Sequence, residues 1–383
     1  VIPRLSEQEG IIGEIFARVN SQFRTPVNLN QAILKIDEIN WSKKDADVKG
    51  TAYESLLKKY AEEAEGAGQY FTPRSAEKAI VEVVDPGPDD KIHDPAAGTG
   101  GFLIHAYEHI LDKTHEGADL TRQQRKKLMT ENLSGVEKVP ETRRLGLMNL
   151  ALHDLQPKHF DIDNSLASEP NKSYDIILTN PPYGGKMTEP PAREDFMVET
   201  KSTELNFLQH CMSILKQNGE CAMVVPDGVL FQTGAAQRIR KNLLRDFNLH
   251  TILILPIGAF HPYTDVTTNV IFFKKGEPTK EVWYYDLRTD IEKIKKSNPL
   301  TYEMFEEFVE NYDSKEGVDR YFKISIDEIK ENDWSLNYKD YKEFDKEDEE
   351  VPAPEELLTE LLSLQETITQ NTQQILDEIE AEN

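Results

Sequence analysis

The most restrictive feature of this sequence is the alternation of strand-like and helix-like patterns between about residues 75 and 275. Short apolar runs typical of strands are separated by segments with apolar residues every three or four positions, which are typical of helices. Such alternation predicts an α/β fold, in which a mainly parallel sheet carries helices on both faces. The predicted strands are residues 91–94, 133–137, 174–179, 220–225, 249–255 and 269–274. The predicted helices are residues 101–112, 140–151, 203–216 and 234–245.

The first predicted strand leads into a glycine-rich turn, and the turn leads into a helix. Glycines let the backbone approach a bound molecule closely, and N–H groups at a helix start can donate to it. The dinucleotide pattern G-x-G-x-x-G is not met, because Phe102 and Leu103 follow Gly101, so a nicotinamide or flavin cofactor is disfavoured. S-adenosylmethionine fits better, since it has no phosphates. The candidate cofactor-binding residues here are Asp94, Pro95, Ala96, Gly98, Thr99, Gly100, Gly101 and Phe102.

An acidic residue at the end of the next strand is expected to hold the ribose hydroxyls of such a cofactor. Glu137 is the candidate, because it closes the predicted strand 133–137. It lies 39 positions after Gly98 (137 minus 98), whereas a compact βαβ unit has about 20. The polar stretch 115–130 explains the excess as an inserted helical excursion.

Residues 179–185, Thr-Asn-Pro-Pro-Tyr-Gly-Gly, form the candidate catalytic turn. An exocyclic amine on an aromatic base is a poor nucleophile because its lone pair is delocalised. The side-chain carbonyl of Asn180 and the main-chain carbonyl of Pro181 could each accept one N–H and align that lone pair for in-line attack. Pro181 and Pro182 stiffen the backbone, and the Tyr183 ring offers a face for a flipped base. This chemistry requires no metal and no covalent nucleophile.

These two turns and residues 68–74, Gly-Gln-Tyr-Phe-Thr-Pro-Arg, resemble the motifs of N6-adenine DNA methyltransferases. More narrowly, the chain resembles the modification subunit of Type I restriction-modification systems, over roughly residues 28 to 275. The resemblance implies a Rossmann-like S-adenosylmethionine-dependent methyltransferase sheet, with an N-terminal helical region and a C-terminal coiled-coil-type helix. It also implies methyl transfer from S-adenosylmethionine to N6 of an adenine flipped out of DNA.

The same resemblance assigns further site residues. Tyr70, Phe71, Thr72 and Pro73 would close over the methionine end of the cofactor. The adenine of the cofactor would contact Asp163 or Asn164, and both stay candidates because many relatives carry Asp before Ser or Thr, where this chain has Asn164. Asn180, Pro181, Pro182 and Tyr183 would hold the target adenine.

The net charge of -25 at pH 7 bears on how DNA is bound. A protein that grips DNA by itself normally carries a basic face. We therefore expect a specificity subunit to supply sequence recognition and most contacts to the phosphates of double-stranded DNA. Lys186, Arg193 and Lys201 lie in the polar segment 184–203 and could form a local basic patch next to the flipped base, with a solvated loop as the alternative. The resemblance also implies a second modification subunit and leaves room for a restriction subunit.

The C-terminal segment carries a heptad pattern. Leu361, Ile368 and Ile375 recur every seven residues. A second column consists of Leu357, Leu364 and Asn371. The pattern predicts a helix that packs on a partner helix. The resemblance favours docking on the specificity subunit, and the alternative is a helix folded back on its own domain.

We predict four parts of the chain. They are an N-terminal helical region at 1–66, truncated at its start and with helices at 30–39 and 51–65, a methyltransferase catalytic domain at 67–280, a mixed polar extension at 281–350 and a partner-docking helix at 351–383. No run of about 18 apolar residues is present to span a membrane. Cys211 and Cys221 lie in apolar patterns, so we expect reduced core thiols and a cytoplasmic protein.

Three other interpretations were weighed. A protein glutamine N5-methyltransferase uses the same Asn-Pro-Pro-Tyr, but the Phe-Thr-Pro element and the heptad segment favour DNA. A non-catalytic scaffold subunit is disfavoured by the intact turns at 98–101 and 180–183. Residues 105–109 satisfy the zinc-protease pattern H-x-x-E-H, but they fall in the helix after the glycine-rich turn, where one face must pack on the sheet. No metal site is therefore predicted.

Overall fold

The structure is a computed structural model that describes residues 2–17, 23, 25–41, 46–63, 72–260, 266–289, 291, 293–295, 298–315, 318–341 and 365. The strands of this part are β1 (Ile92–Asp94), β2 (Leu133–Glu137), β3 (Phe160–Ile162), β4 (Tyr174–Thr179), β5 (Leu215–Pro226), β6 (Phe247–Ile254), β7 (Thr268–Lys275), β8 (Glu281–Asp286) and β9 (Tyr321–Ser325). They form one sheet in the order β3-β2-β1-β4-β5-β7-β6-β8-β9.

The half of the sheet that carries the two predicted turns is parallel. The pairs in this half are all parallel: β3 with β2, β2 with β1, β1 with β4, and β4 with β5. Strand β7 runs antiparallel between β5 and β6, β6 pairs in parallel with β8, and β9 is antiparallel to β8. The predicted mainly parallel sheet is confirmed, and its antiparallel pairs involve β7 and β9.

Helices flank the sheet and precede it. The described helices are α1 (Ile2–Ser6), α2 (Ile11–Phe16), α3 (Pro26–Asp37), α4 (Ala46–Glu63), α5 (Arg74–Val84), α6 (Gly101–Lys113), α7 (Arg122–Lys127), α8 (Pro140–Leu152), α9 (Thr203–Ile214), α10 (Asp227–Phe231), α11 (Ala235–Asp246), α12 (Glu306–Glu310) and α13 (Ile326–Glu331). A π-helical turn, Leu128–Asn132, leads from α7 into β2. Short 3-10 turns occur at Tyr302–Phe305 and Tyr338–Asp340.

Helix α5 shows how sequence pattern becomes packing. Its apolar residues recur on one face, and Ala76, Ala79, Ile80 and Val84 are buried in the core that covers the sheet. Burial of an aliphatic side chain of the size of Ile80 stabilises the fold by about 1.5–3 kcal/mol. The helix also packs on α6. The start of α5 is therefore held beside the glycine-rich turn that begins α6.

Most predicted elements lie where the sequence places them, with ends that differ by a few residues. The first exception is β3, a three-residue strand at the sheet edge that no apolar run marks. The second is the pair β8 and β9, which extends the sheet into the region predicted as polar extension. Cys211 and Cys221 are buried free thiols, as predicted.

The chain divides into two compact units, Val1–Tyr338 and Lys339–Asn383. Of the second unit, the structure describes residues 339–341 and 365. The predicted docking helix at 351–383 therefore lies outside the described residues, apart from Gln365. Within the described residues, no helix has the length and apolar character needed to cross a membrane.

Candidate active site

The two predicted turns meet at the carboxyl ends of β1 and β4, which are neighbours in the sheet. The carboxylate of Asp94, at the end of β1, accepts a hydrogen bond from the hydroxyl of Thr179, at the end of β4, at 2.7 Å. The same Asp94 oxygen accepts from the backbone N–H of Ala96 at 2.9 Å. The carboxyl ends of parallel strands are where open α/β sheets bind ligands. The structure thus joins the candidate cofactor turn and the candidate catalytic turn through one side chain.

The glycine-rich turn is held in an open shape. Gly98 and Gly100 have φ of 53° and 81°, a left-handed conformation that favours glycine. The N–H of Gly98 donates to the Glu137 carboxylate at 3.0 Å. Asn149 donates from its side-chain amide to the Thr99 carbonyl at 3.1 Å. Among the described residues, no atom lies within 4 Å of the place a Cβ would take at Gly98, so this side of the turn is open.

The other predicted residues of the turn serve it in different ways. Phe102 is 2% exposed and lies in the apolar core, so its side chain anchors the start of α6. Pro95 is buried, and its carbonyl accepts a hydrogen bond from the Ser165 hydroxyl at 2.6 Å. Glu137 accepts from the Val139 N–H at 2.7 Å as well as from Gly98, so its carboxylate is fixed at the turn.

The loop after β3 lies against the cofactor turn. Asp163 is exposed, and its carboxylate accepts from the N–H of Asn164 at 2.7 Å. The side-chain oxygen of Asn164 accepts from the Leu166 N–H at 3.2 Å. Sequence reasoning missed Ser165, which joins this loop to Pro95. The sequence signal that could have indicated it is the position of this hydroxyl directly after Asp163 and Asn164, the two candidate contacts to the adenine of the cofactor.

Asn180 is the most informative residue of the catalytic turn. It is 9% exposed, and its amide nitrogen donates to the Thr72 hydroxyl at 3.0 Å. Its side-chain oxygen is buried and accepts no hydrogen bond from any described residue. A buried acceptor without a donor is costly, and this one is available to accept an N–H from a bound molecule. The Thr72 bond fixes which end of the amide faces that molecule.

The neighbours of Asn180 differ in exposure. Pro181 is buried, whereas Pro182 is exposed. Tyr183 is 6% exposed, so most of the ring expected to stack on a base is covered by protein. Of the four residues predicted to close over the cofactor, Thr72 and Pro73 are described, and Tyr70 and Phe71 lie outside the described residues.

The segment after Tyr183 does not form the predicted three-residue basic patch. Lys186 and Lys201 are exposed, but the Arg193 side chain is fully buried. Its guanidinium donates to Asp195 at 2.9 Å, to the Ser165 carbonyl at 3.0 Å and to the ring of His210 at 2.8 Å. The prediction was wrong for Arg193, because a nearby carboxylate and carbonyl compensate its charge inside the protein.

The histidines of the His-x-x-Glu-His pattern contact nearby carboxylates. His105 contacts Glu108 at 3.2 Å and Glu77 at 3.5 Å. His109 contacts Asp85 at 2.7 Å. The two histidines thus face different carboxylates. Within the described part of the chain, no group of three or more potential ligands could hold a metal ion.

Burial of Asp94 creates a testable pH dependence. Burial raises the pKa of Asp94 from 3.8 to about 7, with Glu137 adding to the rise, although the bonds from Thr179 and Ala96 oppose it. Between pH 4 and 7 the folded chain therefore keeps a proton on Asp94 that the unfolded chain has already released. The stability that this proton contributes falls across that range and is lost as pH rises through about 7. The Asp94→Asn variant has no proton to release at this position, so its free energy of unfolding does not fall for this reason.

We therefore expect the unfolding free energy of Asp94→Asn, relative to the unsubstituted chain, to increase from pH 5.5 to 7 and to level off above 7. The slope should approach about 1.4 kcal/mol per pH unit. Urea denaturation at four pH values measures it, and Asp163→Asn, an exposed carboxylate of the same site, is the matched control. A difference that stays constant with pH would contradict the expectation.

Comparison with known proteins gives consistent matches. A family model described as N-6 DNA Methylase matches residues 44–350. The Type I restriction enzyme StySPI methylase subunit of Salmonella potsdam is 35% identical over 364 residues, covering 90% of this chain and 67% of that protein. A modification subunit assigned to a type I restriction enzyme of Vibrio vulnificus YJ016 has a TM-score of 0.76 at 32% identity, over 86% of this chain and 72% of that one. A chain from a structure that addresses complex assembly and conformational transition of the type I R-M system also has a TM-score of 0.76 at 32% identity, over 100% of this chain and 82% of that chain.

Proposed function

This chain belongs to the N-6 DNA methylase family, and we propose that it is the modification subunit of a type I restriction-modification system. In this role it transfers a methyl group from S-adenosylmethionine to N6 of an adenine in double-stranded DNA. The observation that carries the proposal is the buried side-chain oxygen of Asn180, which no described residue supplies with a hydrogen bond. An exocyclic amine of a flipped base has the N–H that this oxygen lacks.

The chain holds the target amine in three ways. The Asn180 oxygen accepts one N–H of the amine, and the Pro181 carbonyl accepts the other. Two acceptors draw the nitrogen toward a tetrahedral shape, which frees its lone pair for attack. Asn180 itself is held by its bond to Thr72, so the acceptor does not have to be oriented during the reaction. Tyr183 follows these acceptors in the chain and is assigned to the base, although the protein covers most of its ring in this structure.

S-adenosylmethionine supplies an electrophilic methyl carbon when it is bound. Asn180 and Pro181 would hold the amine in line with this carbon for one displacement, in which the sulfur would leave with the electron pair of the C–S bond. The methylated nitrogen then carries the positive charge, so its proton leaves to water and no strong general base is needed beforehand. The chain contributes orientation and the exclusion of water from the two acceptors.

The residues around the glycine-rich turn fit this cofactor. Glu137 would hold the ribose hydroxyls, and Asp163 or Asn164 would contact the adenine ring. Asp94 and the turn from Gly98 to Gly101 would hold the methionine part, and residues 70–73 would cover it. The open side of the turn at Gly98 and the absence of a phosphate-binding cation in the described turn both suit a ligand without phosphates.

A partner supplies the contacts that read the DNA sequence. The net charge of -25 argues against unaided binding to phosphates, and burial of Arg193 removes one of the three cations expected beside the target base. The partner is a specificity subunit, on which the heptad segment at 351–383 docks. A second modification subunit completes the methyltransferase, and the arrangement leaves room for a restriction subunit.

We expect labelled methyl groups from S-adenosylmethionine to appear on adenine N6 of duplex DNA only when the specificity subunit encoded with this chain is present. The test compares the chain purified with that subunit and without it, on matched duplexes with and without the recognised sequence. DNA methylation by the chain without a partner would contradict the division of labour. Labelling of a protein glutamine, with none on DNA under either condition, would contradict the proposed function.

A further inference from the structure

A second buried carboxylate, Glu77, lies at the glycine-rich turn and has no part in the mechanism above. Glu77 is 7% exposed and belongs to the first turn of α5, where its N–H donates to the Pro73 carbonyl at 3.0 Å. A Cβ placed on Gly101 would lie 2.3 and 2.4 Å from its two carboxylate oxygens. The carboxylate therefore lies flat against the backbone at the point where the turn enters α6.

The basic side chains near Glu77 also contact other carboxylates. Arg74 forms an ion pair with Glu54 and is 45% exposed. His105 contacts Glu108 at 3.2 Å through Nδ1, and its Nε2 lies 3.5 Å from Glu77, longer than a hydrogen bond.

This arrangement leaves the turn short of positive charge. Burial raises the pKa of Glu77 well above its usual range, and the carboxylates of Asp94 and Glu108 raise it further, although Arg74 lowers it. Asp94 is buried at the same turn and faces the same shortage. A buried carboxylate has to take up a proton or meet a cation. The ligand expected at this turn carries cations, since the methionine end of S-adenosylmethionine has an α-ammonium and a sulfonium group.

We propose that the Glu77 carboxylate is a further cofactor-binding group, which contacts the positively charged methionine end of S-adenosylmethionine beside Asp94. Position supports this assignment. Glu77 lies one helical turn after Thr72 and Pro73, the residues assigned to cover that end of the cofactor. The inference rests on the proposed function, because it requires that the chain bind S-adenosylmethionine.

Calorimetric titration of the full chain tests it with three ligands that differ in charge. Glu77→Gln removes the charge and keeps the shape, so we expect binding of S-adenosylmethionine to weaken at least tenfold. Binding of S-adenosylhomocysteine, which keeps the α-ammonium and lacks the sulfonium, should weaken as well. Binding of 5′-methylthioadenosine, which has neither cation, should stay within twofold. A role confined to folding would weaken all three equally.

The control is Glu82→Gln, which removes the same charge from α5 where the side chain contacts Tyr302 instead of the turn. It should bind all three ligands as the unsubstituted chain does. If Glu77→Gln does not fold, Glu77→Met, an unbranched apolar replacement, is titrated in the same way. The inference is overturned if the substitution of Glu77 weakens binding of S-adenosylmethionine by less than threefold. It is also overturned if binding of 5′-methylthioadenosine weakens by the same factor. Failure of the unsubstituted chain to bind S-adenosylmethionine would instead overturn the proposed function.

Discussion

Asn180→Ala should lower the rate of methyl transfer about a thousandfold while leaving the affinity for S-adenosylmethionine nearly unchanged. The variant loses the acceptor that pulls the target nitrogen out of conjugation, an interaction made mainly in the transition state. Loss of one preorganised hydrogen-bonding group at a reacting centre typically costs a factor of about 100 to 1,000, and loss of alignment adds to it. Single-turnover transfer to DNA in the presence of the specificity subunit measures the step without a contribution from product release.

The matched control for this prediction is Asn180→Asp. This variant keeps an oxygen acceptor at the same position and lacks the amide N–H that bonds to Thr72. It should therefore retain more activity than the alanine variant. Calorimetry should give similar cofactor affinities for both variants and for the unsubstituted chain. Activity of Asn180→Ala above a tenth of the unsubstituted rate would show that Asn180 does not activate the amine.

Arg193→Met should lower the free energy of unfolding by about 3 kcal/mol, the lower end of the usual cost of breaking a buried charged pair, because the Asp195 left behind is partly exposed. Arg193 is fully buried, and its loss removes a donor from the Ser165 carbonyl, the ring of His210 and Asp195, which keeps only the bond from the Ser213 hydroxyl among these side-chain donors. Burial and the charge of Arg193 lower the pKa of His210 to about 3, so the ring is neutral and accepts from the guanidinium. Urea denaturation followed by fluorescence and circular dichroism measures the loss.

Lys186→Met provides the surface control, since Lys186 is exposed in the same segment. Its effect should stay within about 0.5 kcal/mol. A double-mutant cycle with Asp195→Asn separates the ion pair from the rest of the network. Asp195→Asn should cost less in the Arg193→Met background than in the unsubstituted chain. Equal costs in the two backgrounds would contradict the buried pair.

The parallel half of the sheet could be predicted because β4 and β5 contain apolar runs, at residues 176–178 and 221–225. Strand β4, for example, was predicted at residues 174–179 and is observed as Tyr174–Thr179. Strand β3 could not be predicted, because three residues at a sheet edge carry no periodic signal and are stabilised by pairing with β2. Strand β8 is held in the same way by β6, so its polar surroundings concealed it.

Proximity of the two turns was predictable from a general rule, since the carboxyl ends of neighbouring parallel strands lie at one edge. The partners of the individual side chains were not. Nothing local in the sequence indicates that Thr179 bonds to Asp94 or that Ser165 bonds to Pro95, because these pairs lie 85 and 70 residues apart. Arg193 was expected in solvent for the same reason. Its buried environment is made by Asp195 nearby and by Ser165 and His210 from distant elements.

The hydrogen bond between Thr72 and Asn180 has a consequence for the order of events at the site. Thr72 belongs to the segment assigned to cover S-adenosylmethionine. Its hydroxyl holds the amide of Asn180, the residue assigned to hold the target amine. If bound S-adenosylmethionine shifts Thr72, the orientation of Asn180 changes. If bound DNA shifts Asn180, the position of Thr72 changes. By thermodynamic linkage, each ligand must alter the affinity for the other by the same factor. Any coupling between the two ligands that passes through these residues would therefore depend on this one hydrogen bond.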